Sequence, residues 1–331
     1  MPTRRAVLAA AAFLIIARDA LALIFAPAAL AQGFPAKPIK LIVPYPPGGP
    51  TDALARIVAQ ELQAANGWTL VIENKPGASG SVGTREVARA EADGHTIVLG
   101  NNQTHTTNMI LLKDAGYDAV ADFAPIAGVA DLQHALVVRK NLGAGSVAEL
   151  VALAKKDPGK LNYGSTGQGS GSHLAMELFK TRTGTAMQHV PFRGAAPMAL
   201  EIVAGRIDVA FATLPSVLGQ IQAGEIKALA IASTVRAPQL KDVPLLAEQG
   251  VKDAEADSWL AFFAPAKTPA PALDALSKAV IAALAKPAVA ESAIKQGIAV
   301  NVRTPGQFKP YLTGELKKWG EVVRTAQVKV D

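Results

Sequence analysis

The sequence predicts an α/β protein of two domains, each a mostly parallel sheet flanked by helices. Strand and helix patterns alternate between residues 39 and 99, and the same alternation returns between residues 161 and 232. Such an order implies parallel strands joined by right-handed helical crossovers. A further apolar strand at 259–264 and a mostly helical tail after Pro265 complete the pattern.

The first unit begins with an apolar strand followed by an amphipathic helix. Leu54, Ile57, Val58 and Leu62 recur at the spacing of one helical face, and Asn66-Gly67 is a typical helix end. The predicted elements are a strand at 39–43, a helix ending at residue 66, a strand at 68–72, a helix at 82–90 and a strand at 96–99.

The second unit repeats this rhythm. Its first helix carries Leu174, Leu178 and Phe179 on one side and stops at Gly184. The predicted strands are 161–163, 187–190, 207–211 and 228–232, with helices at 195–204 and 215–223 and tail helices at 272–285, 288–297 and 305–326.

This order predicts a discontinuous first domain, formed by residues 33–133 and 257–331, around a second domain of residues 134–256. The chain would therefore cross between the domains twice. Two crossings form a hinge, and we expect the ligand to bind in the cleft between the domains.

The N-terminus resembles an export signal in its charge and hydropathy. Arg4 and Arg5 precede the apolar stretch 6–17, and Ala29-Leu30-Ala31 is a small-x-small cleavage site. We expect cleavage after Ala31 and a periplasmic location. Residues 1–31 could instead be an uncleaved anchor, and the route could be Sec or twin-arginine export.

Composition argues against several other functions. The net charge of +6 is dispersed and aromatics are only 5%, so no nucleic-acid partner is expected. The chain has no cysteine, and its five histidines show no metal-ligand spacing. We expect no metal, no cofactor and a monomer.

Two loops rich in glycine and hydroxyl residues carry the main functional signal. The first glycine loop is residues 46–52, PPGGPTD, and the second glycine loop is residues 165–173, STGQGSGSH. Each follows a strand and precedes a helix, so backbone N–H groups and a helix dipole converge on one point. The two loops could hold one carboxylate from opposite sides.

Further polar candidates follow other strands of the predicted sheets. Asn101, Gln103 and Thr104 follow the strand at 96–99, Arg193 follows 187–190, and Thr213 follows 207–211. Ligands of open parallel sheets bind beyond the carboxyl ends of the strands.

No Gly-x-Ser-x-Gly elbow occurs, so the sequence predicts no enzyme and no catalytic residue. Two alternatives stay open. One is an exported serine hydrolase that uses Ser165 or Ser170, and the other is a ligand-sensing protein that signals through a partner.

Several segments resemble the substrate receptors of tripartite tricarboxylate transporters, the Bug family. They include residues 45–52 (YPPGGPTD), 73–78 (ENKPGA), 161–163 (LNY) with the second glycine loop, 189–194 (HVPFRG) and 244–250 (PLLAEQG). The resemblance spans nearly the whole chain after residue 31. It implies a two-domain, type 2-like periplasmic binding fold, a small carboxylate ligand (a di- or tricarboxylate or an aromatic acid) and integral membrane transporter subunits as partners.

On these grounds we expect eighteen ligand-binding residues. They are Tyr45, Pro47, Gly48, Gly49, Thr51, Asp52, Asn101, Gln103, Thr104, Ser165, Thr166, Gly167, Gln168, Gly169, Ser170, His173, Arg193 and Thr213.

The chain departs from the family pattern at three places. Phe192 stands where tyrosine is frequent, Ala212 where an acidic residue is frequent, and Leu260-Ala261 where Tyr-Gly is frequent. These differences predict a ligand with an apolar or aromatic distal group rather than an amino acid.

Overall fold

The computed structural model describes residues 33–328, and the predicted export signal over residues 1–31, with its cleavage site after Ala31, lies outside them. From Lys37 onward the described chain forms one compact unit. Residues 33–36 fall outside that unit and contain no helix or strand.

Within the described residues, eleven strands form one sheet of six strands and one of five. The strands are β1 Ile39–Val43, β2 Leu70–Asn74, β3 Thr96–Asn101, β4 Phe123–Leu132, β5 His134–Arg139, β6 Asn162–Ser165, β7 Gln188–Pro191, β8 Val209–Thr213, β9 Ile226–Ile231, β10 Ser258–Pro265 and β11 Ala299–Arg303.

Helices cover both sheets. They are α1 Pro50–Asn66, α2 Ser81–Ala88, α3 Asn108–Leu111, α4 Val147–Lys156, α5 Gly171–Thr183, α6 Ala195–Val203, α7 Leu214–Gln222, α8 Ala270–Leu284, α9 Pro287–Lys295 and α10 Pro305–Thr325. A π-helical turn, Gln103–Thr107, leads into α3, and short 3-10 turns lie at Ala78–Gly80, Pro238–Leu240 and Ala247–Gln249.

The six-stranded sheet has the order β11-β4-β10-β3-β1-β2, and the five-stranded sheet has the order β7-β6-β8-β5-β9. We call the first sheet with its helices the first lobe and the second sheet with its helices the second lobe. The first lobe is built from two stretches of chain, because β10 and β11 return to it after the second lobe is complete.

The predicted α/β class with two helix-flanked sheets is confirmed, although the pairing in each sheet is mixed. β1 pairs in parallel with β2 and β3, and β6 with β7 and β8. In contrast, β5 and β10 run antiparallel to both of their neighbours. These two strands begin at the cleft, directly after the chain has crossed between lobes, whereas their neighbours end there.

Strand β4 was not predicted from the sequence, because it contains residues that normally disfavour a central strand. Pro125 and Gly128 both lie in it, and its pairing with β10 shifts register twice. Gly128 has a packing role, since a Cβ there would lie 2.7 Å from Cδ2 of Phe308 in α10. The missing side chain lets α10 lie close against the sheet.

The two chain crossings lie side by side. The first is the single residue Gln133 between β4 and β5, and the second ends where β10 begins. Ala232 N–H donates to the carbonyl of His134, and Ala256 N–H donates to the carbonyl of Ala232, both at 2.8 Å. His134 Nδ1 lies 2.6 Å from the carbonyl oxygen of Ala256.

Helix α10 connects the cores of the two lobes. Phe308 and Leu312 belong to the core of the first lobe, whereas Trp319 is buried with the core of the second. Between them, Glu315 Oε2 accepts hydrogen bonds from the indole N–H groups of Trp259 at 3.1 Å and Trp319 at 2.9 Å. The lobes are thus joined by two chain crossings and by this helix.

Candidate functional site

A cavity of about 790 Å³, open solvent at its mouth included, lies between the two lobes. The lining residues come from both lobes and are Tyr45, Pro46, Pro47, Gly49, Pro50, Thr51, Asn101, Asn102, Gln103, Leu132, His134, Thr166, Ser170, Gly171, Ser172, Arg193, Gly194, Ala195, Ala196, Pro197, Thr213 and Ser258.

The first glycine loop presents the N-terminus of α1 to this cavity. Gly49 is the N-cap, and no side chain caps the helix. Pro50 has no N–H group, and the N–H groups of Thr51 and Asp52 lie in the first turn, where no intrahelical acceptor exists. This helix end therefore offers donors to an anion.

Asp52 shapes the first glycine loop from behind the cavity wall. Its buried carboxylate accepts from Gly48 N–H at 3.0 Å, from Asn74 at 3.0 Å and from two nitrogens of Arg56 at 2.9 and 3.0 Å. Burial alone would raise the pKa of Asp52, but these hydrogen bonds outweigh it and hold the pKa below its usual value.

The second glycine loop is held by its own hydroxyl groups. Ser170 caps α5 by accepting from His173 N–H at 3.3 Å, and its hydroxyl lies 2.9 Å from that of Ser172. Ser172 Oγ in turn accepts from Thr166 N–H at 2.9 Å. The hydroxyls fix the loop so that the first turn of α5 faces the cavity.

Two stacked histidines lie beneath the second glycine loop. The rings of His173 and His189 are 3.9 Å apart, and Tyr163 stacks on His189 at 4.8 Å. Gly169 N–H donates to His173 Nδ1 at 3.0 Å, and His189 Nε2 lies 2.6 Å from Ser165 Oγ. Burial lowers the pKa of His173 to about 3 and that of His189 to about 4, so both rings are neutral.

Direct hydrogen bonds close the second glycine loop against the first lobe. Gly169 carbonyl accepts from Thr107 Oγ1 at 2.7 Å. Gln168 carbonyl accepts from Gln103 Nε2 at 3.2 Å and from Ser79 Oγ at 3.4 Å. The structure therefore represents the lobes in contact across the cleft.

The far side of the cavity is formed by the start of α6, Arg193 and Thr213. Gly194 is the N-cap of α6 and Thr213 the N-cap of α7, and neither helix has a side-chain cap. Exposed Arg193 precedes α6 and lines the cavity. Leu214 N–H, the first of α7, already donates to the carbonyl of Gln133 at 2.8 Å. This wall thus adds the N-terminus of α6 and a cation to the N-termini of α1 and α5.

The end of strand β3 joins the first glycine loop to the cavity floor. Asn101 Oδ1 accepts from the hydroxyl of Tyr45 at 2.8 Å and from the N–H groups of Gln103 and Thr104 at 3.0 and 3.1 Å. The neighbouring Asn102 is 1% exposed, and its Nδ2 has no hydrogen-bonding partner.

The predicted site residues fall into two groups. Those that line the cavity are Tyr45, Pro47, Gly49, Thr51, Asn101, Gln103, Thr166, Ser170, Arg193 and Thr213. Those that do not line it are Gly48, Asp52, Thr104, Ser165, Gly167, Gln168, Gly169 and His173, and several of them shape the loops. Contact of either group with a ligand stays a prediction.

The inner end of the cavity, where Asn102, His134, Gly171 and Ser258 meet, contains none of the eighteen residues expected to bind the ligand. A Cβ on Gly171 would lie 2.6 Å from Ser258 Oγ, 3.1 Å from Asn102 Nδ2 and 3.2 Å from His134 Cε1. The position of Asn102 beside Asn101 at a strand end was the available signal. His134 and Ser258 gave no such sequence signal, because each is the first residue of a strand.

The positions where the sequence departs from the family pattern do not line the cavity. Ala212 and Leu260 are fully buried within the sheets, and Phe192 packs against the core of the second lobe. They therefore give no support to an apolar distal group. The apolar part of the lining consists instead of Leu132, the prolines of the first glycine loop and residues 195–197.

Within residues 33–328, no group of three or more histidine, aspartate or glutamate side chains is arranged to hold a metal ion. No helix in that range has both the length and the apolar character needed to cross a membrane.

Comparison with known proteins gives a consistent result. Residues 54–328 match the family described as tripartite tricarboxylate transporter family receptor. Protein BugT of Bordetella pertussis is 34% identical over 301 residues, which cover 91% of this chain and 92% of BugT.

Two solved structures extend the similarity to the whole fold. R. palustris Rpa4515 with adipate has a TM-score of 0.86 at 35% identity and covers 89% of this chain and 99% of its own. The periplasmic binding protein BugD has a TM-score of 0.83 at 32% identity, with coverage of 89% and 99%. The predicted periplasmic binding fold is therefore confirmed.

Proposed function

Since this chain belongs to the tripartite tricarboxylate transporter receptor family, we propose that it is an extracytoplasmic receptor for a small carboxylate. It captures the ligand between the two glycine loops and delivers it to integral membrane transporter subunits. We place it in the periplasm after cleavage behind Ala31, as a monomer with no nucleic-acid partner. In this proposal the two domains are residues 33–133 with 257–331, and residues 134–256.

One observation carries the proposal. The N-termini of three helices, α1, α5 and α6, and one arginine face a cavity whose lining contains no aspartate or glutamate. Helix N-termini attract anions through their dipoles and their free N–H groups. The site is therefore suited to an anion, and the complex of Rpa4515 with adipate supports a carboxylate.

Strength of binding follows from the number of donors. Each hydrogen bond to a charged acceptor contributes about 1.5–3 kcal/mol. Four or five such bonds, offset by the loss of freedom on association, are compatible with a micromolar dissociation constant, about −8 kcal/mol. Leu132, the loop prolines and residues 195–197 provide apolar surface for the carbon skeleton, an aromatic ring included.

A serine hydrolase is the less favoured candidate. Ser165 lies 2.6 Å from His189 Nε2, but it is fully buried and does not line the cavity. Ser170 does line it, yet its hydroxyl caps α5 and contacts Ser172. We therefore propose that the protein is not an enzyme. A signalling receptor with the same ligand site is the other alternative, and capture of its membrane partners distinguishes the two.

A thermal-shift screen followed by calorimetry tests the proposal. Mono-, di- and tricarboxylates and aromatic acids are each compared with the corresponding neutral amide, and aspartate is included as an amino acid. At a hundredfold excess over its dissociation constant, a true ligand stabilises the protein by about 2.7 kcal/mol. If no acid stabilises more than its amide, the receptor proposal is wrong, and conversion of the ligand during incubation would favour the hydrolase.

A further inference from the structure

His134 lies at the inner end of the cavity and carries a hydrogen-bond acceptor on its ring. It lines the cavity, although it is only 1% exposed. Its Nδ1 lies 2.6 Å from the carbonyl oxygen of Ala256. A carbonyl oxygen can only accept, so Nδ1 carries the proton and Nε2 carries a lone pair.

The ring stays neutral under ordinary conditions. Burial lowers the pKa of His134 to about 4, and the hydrogen bond to Ala256 offsets this only in part. The fixed tautomer therefore leaves Nε2 as an acceptor across the pH range in which the protein would meet its ligand. The cavity wall therefore contains a fixed hydrogen-bond acceptor at this point.

Asn102 places a donor beside this acceptor. Its Nδ2 is buried and has no partner, which is costly unless a ligand supplies one. Asn102 Nδ2 and His134 Cε1 lie 3.1 and 3.2 Å from the position that a Cβ on Gly171 would take. The side chains of Asn102 and His134 therefore both lie beside Gly171, in the first turn of α5.

Few ligand groups satisfy both atoms. A carboxylate oxygen would suit Asn102 but would meet the lone pair of His134. An ammonium group would suit His134 but would have no acidic partner, because the lining contains no aspartate or glutamate. A hydroxyl group can donate to one atom and accept from the other at the same time.

We propose that His134 and Asn102 together recognise a hydroxyl group on the ligand, so that the receptor prefers hydroxycarboxylates to the same acids without the hydroxyl. This inference rests on the proposed carboxylate site and names a substrate class for it. The hydroxyl donates its hydrogen to Nε2 of His134 and accepts from Nδ2 of Asn102.

Matched pairs of ligands test this without any mutation. Calorimetry on the purified protein compares malate with succinate and 2-hydroxyglutarate with glutarate. We expect the hydroxy acid of at least one pair to bind at least about fivefold more tightly, as two additional neutral hydrogen bonds would give. Equal binding within both pairs, with carboxylates still preferred to amides, overturns this inference and leaves the proposed function standing. If no carboxylate binds, both are overturned.

Two substitutions separate the two nitrogens of the ring. His134→Asn keeps an N–H donor near the position of Nδ1 but removes the acceptor, and we expect the affinity ratio within a pair to fall to about one. His134→Gln can place an amide oxygen near the position of Nε2, and we expect it to retain part of the ratio. Lys140→Gln, exposed just beyond the other end of β5, is the control and should leave the ratio unchanged. A ratio preserved in His134→Asn contradicts the role of Nε2.

Discussion

Thr107 Oγ1 donates a hydrogen bond to the carbonyl of Gly169 at 2.7 Å, and both groups are buried at the contact between the lobes. Thr107 belongs to the π-helical turn of the first lobe, and Gly169 to the second glycine loop. The bond exists only when the lobes are closed, so it contributes to closure and through it to ligand affinity.

Replacement of Thr107 by valine tests this contribution. Valine keeps the shape of threonine but leaves the Gly169 carbonyl without its partner, which costs about 1–3 kcal/mol in the closed state only. We expect the carboxylate affinity to fall about fivefold or more in calorimetry. Thr106→Val is the matched control, because the buried hydroxyl of Thr106 has no hydrogen-bonding partner. A loss that is equal in both variants contradicts the closure role.

Gly49 allows close approach to the first turn of α1. Its φ of −86° suits any residue, and a Cβ there would meet only the Pro46 carbonyl at 3.9 Å. Gly49→Val should therefore fold normally yet occupy ligand space, and we expect at least about a tenfold loss of affinity in calorimetry. Gly314→Val, on the exposed side of α10, controls for the substitution itself. Unchanged affinity in Gly49→Val would exclude close ligand approach at this position.

Asp52 does not line the cavity, and we expect its carboxylate to contribute to the stability of the fold. In Asp52→Asn the charged hydrogen bonds to Arg56 are lost, and we expect the free energy of unfolding to fall by about 1–3 kcal/mol in urea titrations. Because the pKa of Asp52 is lowered on folding, its contribution is present at neutral pH and is lost as the pH falls below about 4. Asp157→Asn, in an exposed ion pair with Lys160, should change stability by less than about 0.5 kcal/mol.

Buried histidines should make the fold sensitive to mild acid. Burial lowers the pKa of His105 and His173 to about 3 and that of His134 and His189 to about 4, against 6.5 in the unfolded chain. Between those values the unfolded state binds more protons, so stability is complete above pH 6.5 and falls as the pH drops towards 4. We expect a loss of several kcal/mol between pH 6.5 and pH 4.5 in urea titrations. A flat profile would show that these rings are accessible to protons in the folded state.

Asp257 has the opposite effect on how stability depends on pH. Burial raises its pKa to about 7, and Ser233 is its hydrogen-bond donor at 2.8 Å. The folded state therefore binds the additional proton between about pH 4 and pH 7, and this stabilisation is lost as the pH rises through 7. We expect Asp257→Asn to raise the melting temperature at pH 8.5 and to change it little at pH 5. Exposed Asp253→Asn should have no effect at either pH, and a destabilised Asp257→Asn at pH 8.5 contradicts the assignment.

The parts of the fold that sequence predicted well are those set by local signals. Strand β1 and the end of α1 at Asn66-Gly67 follow from apolar runs and a glycine cap. Strands β2 and β8 begin two residues later than predicted, since an apolar run alone does not mark where pairing starts. Strand β4 was missed because neighbours on both sides, and not its own composition, keep it in the sheet.

In the candidate site, too, the features set by local sequence could be predicted, and those set by distant parts of the chain could not. Its two glycine loops are continuous in sequence and could be recognised as anion sites. In contrast, Asn102, His134 and Ser258 come together only through the chain crossings. Asn101 and Asn102 look equivalent in sequence, yet one is bonded to Tyr45 and the other has an unpartnered Nδ2 at the cavity. Adjacent residues at a strand end face different directions, and composition does not distinguish them.

Helix α10 limits how far the two lobes can separate when the ligand leaves. It is fixed in one lobe at Phe308 and in the other at Trp319, about 16 Å apart along the helix axis. A helix that is packed into the cores of both lobes resists their wide separation but permits a rotation of one lobe about the helix axis. We therefore expect the ligand to leave through a small rotation of the lobes about this helix, because wide separation would pull Trp319 out of the core of the second lobe.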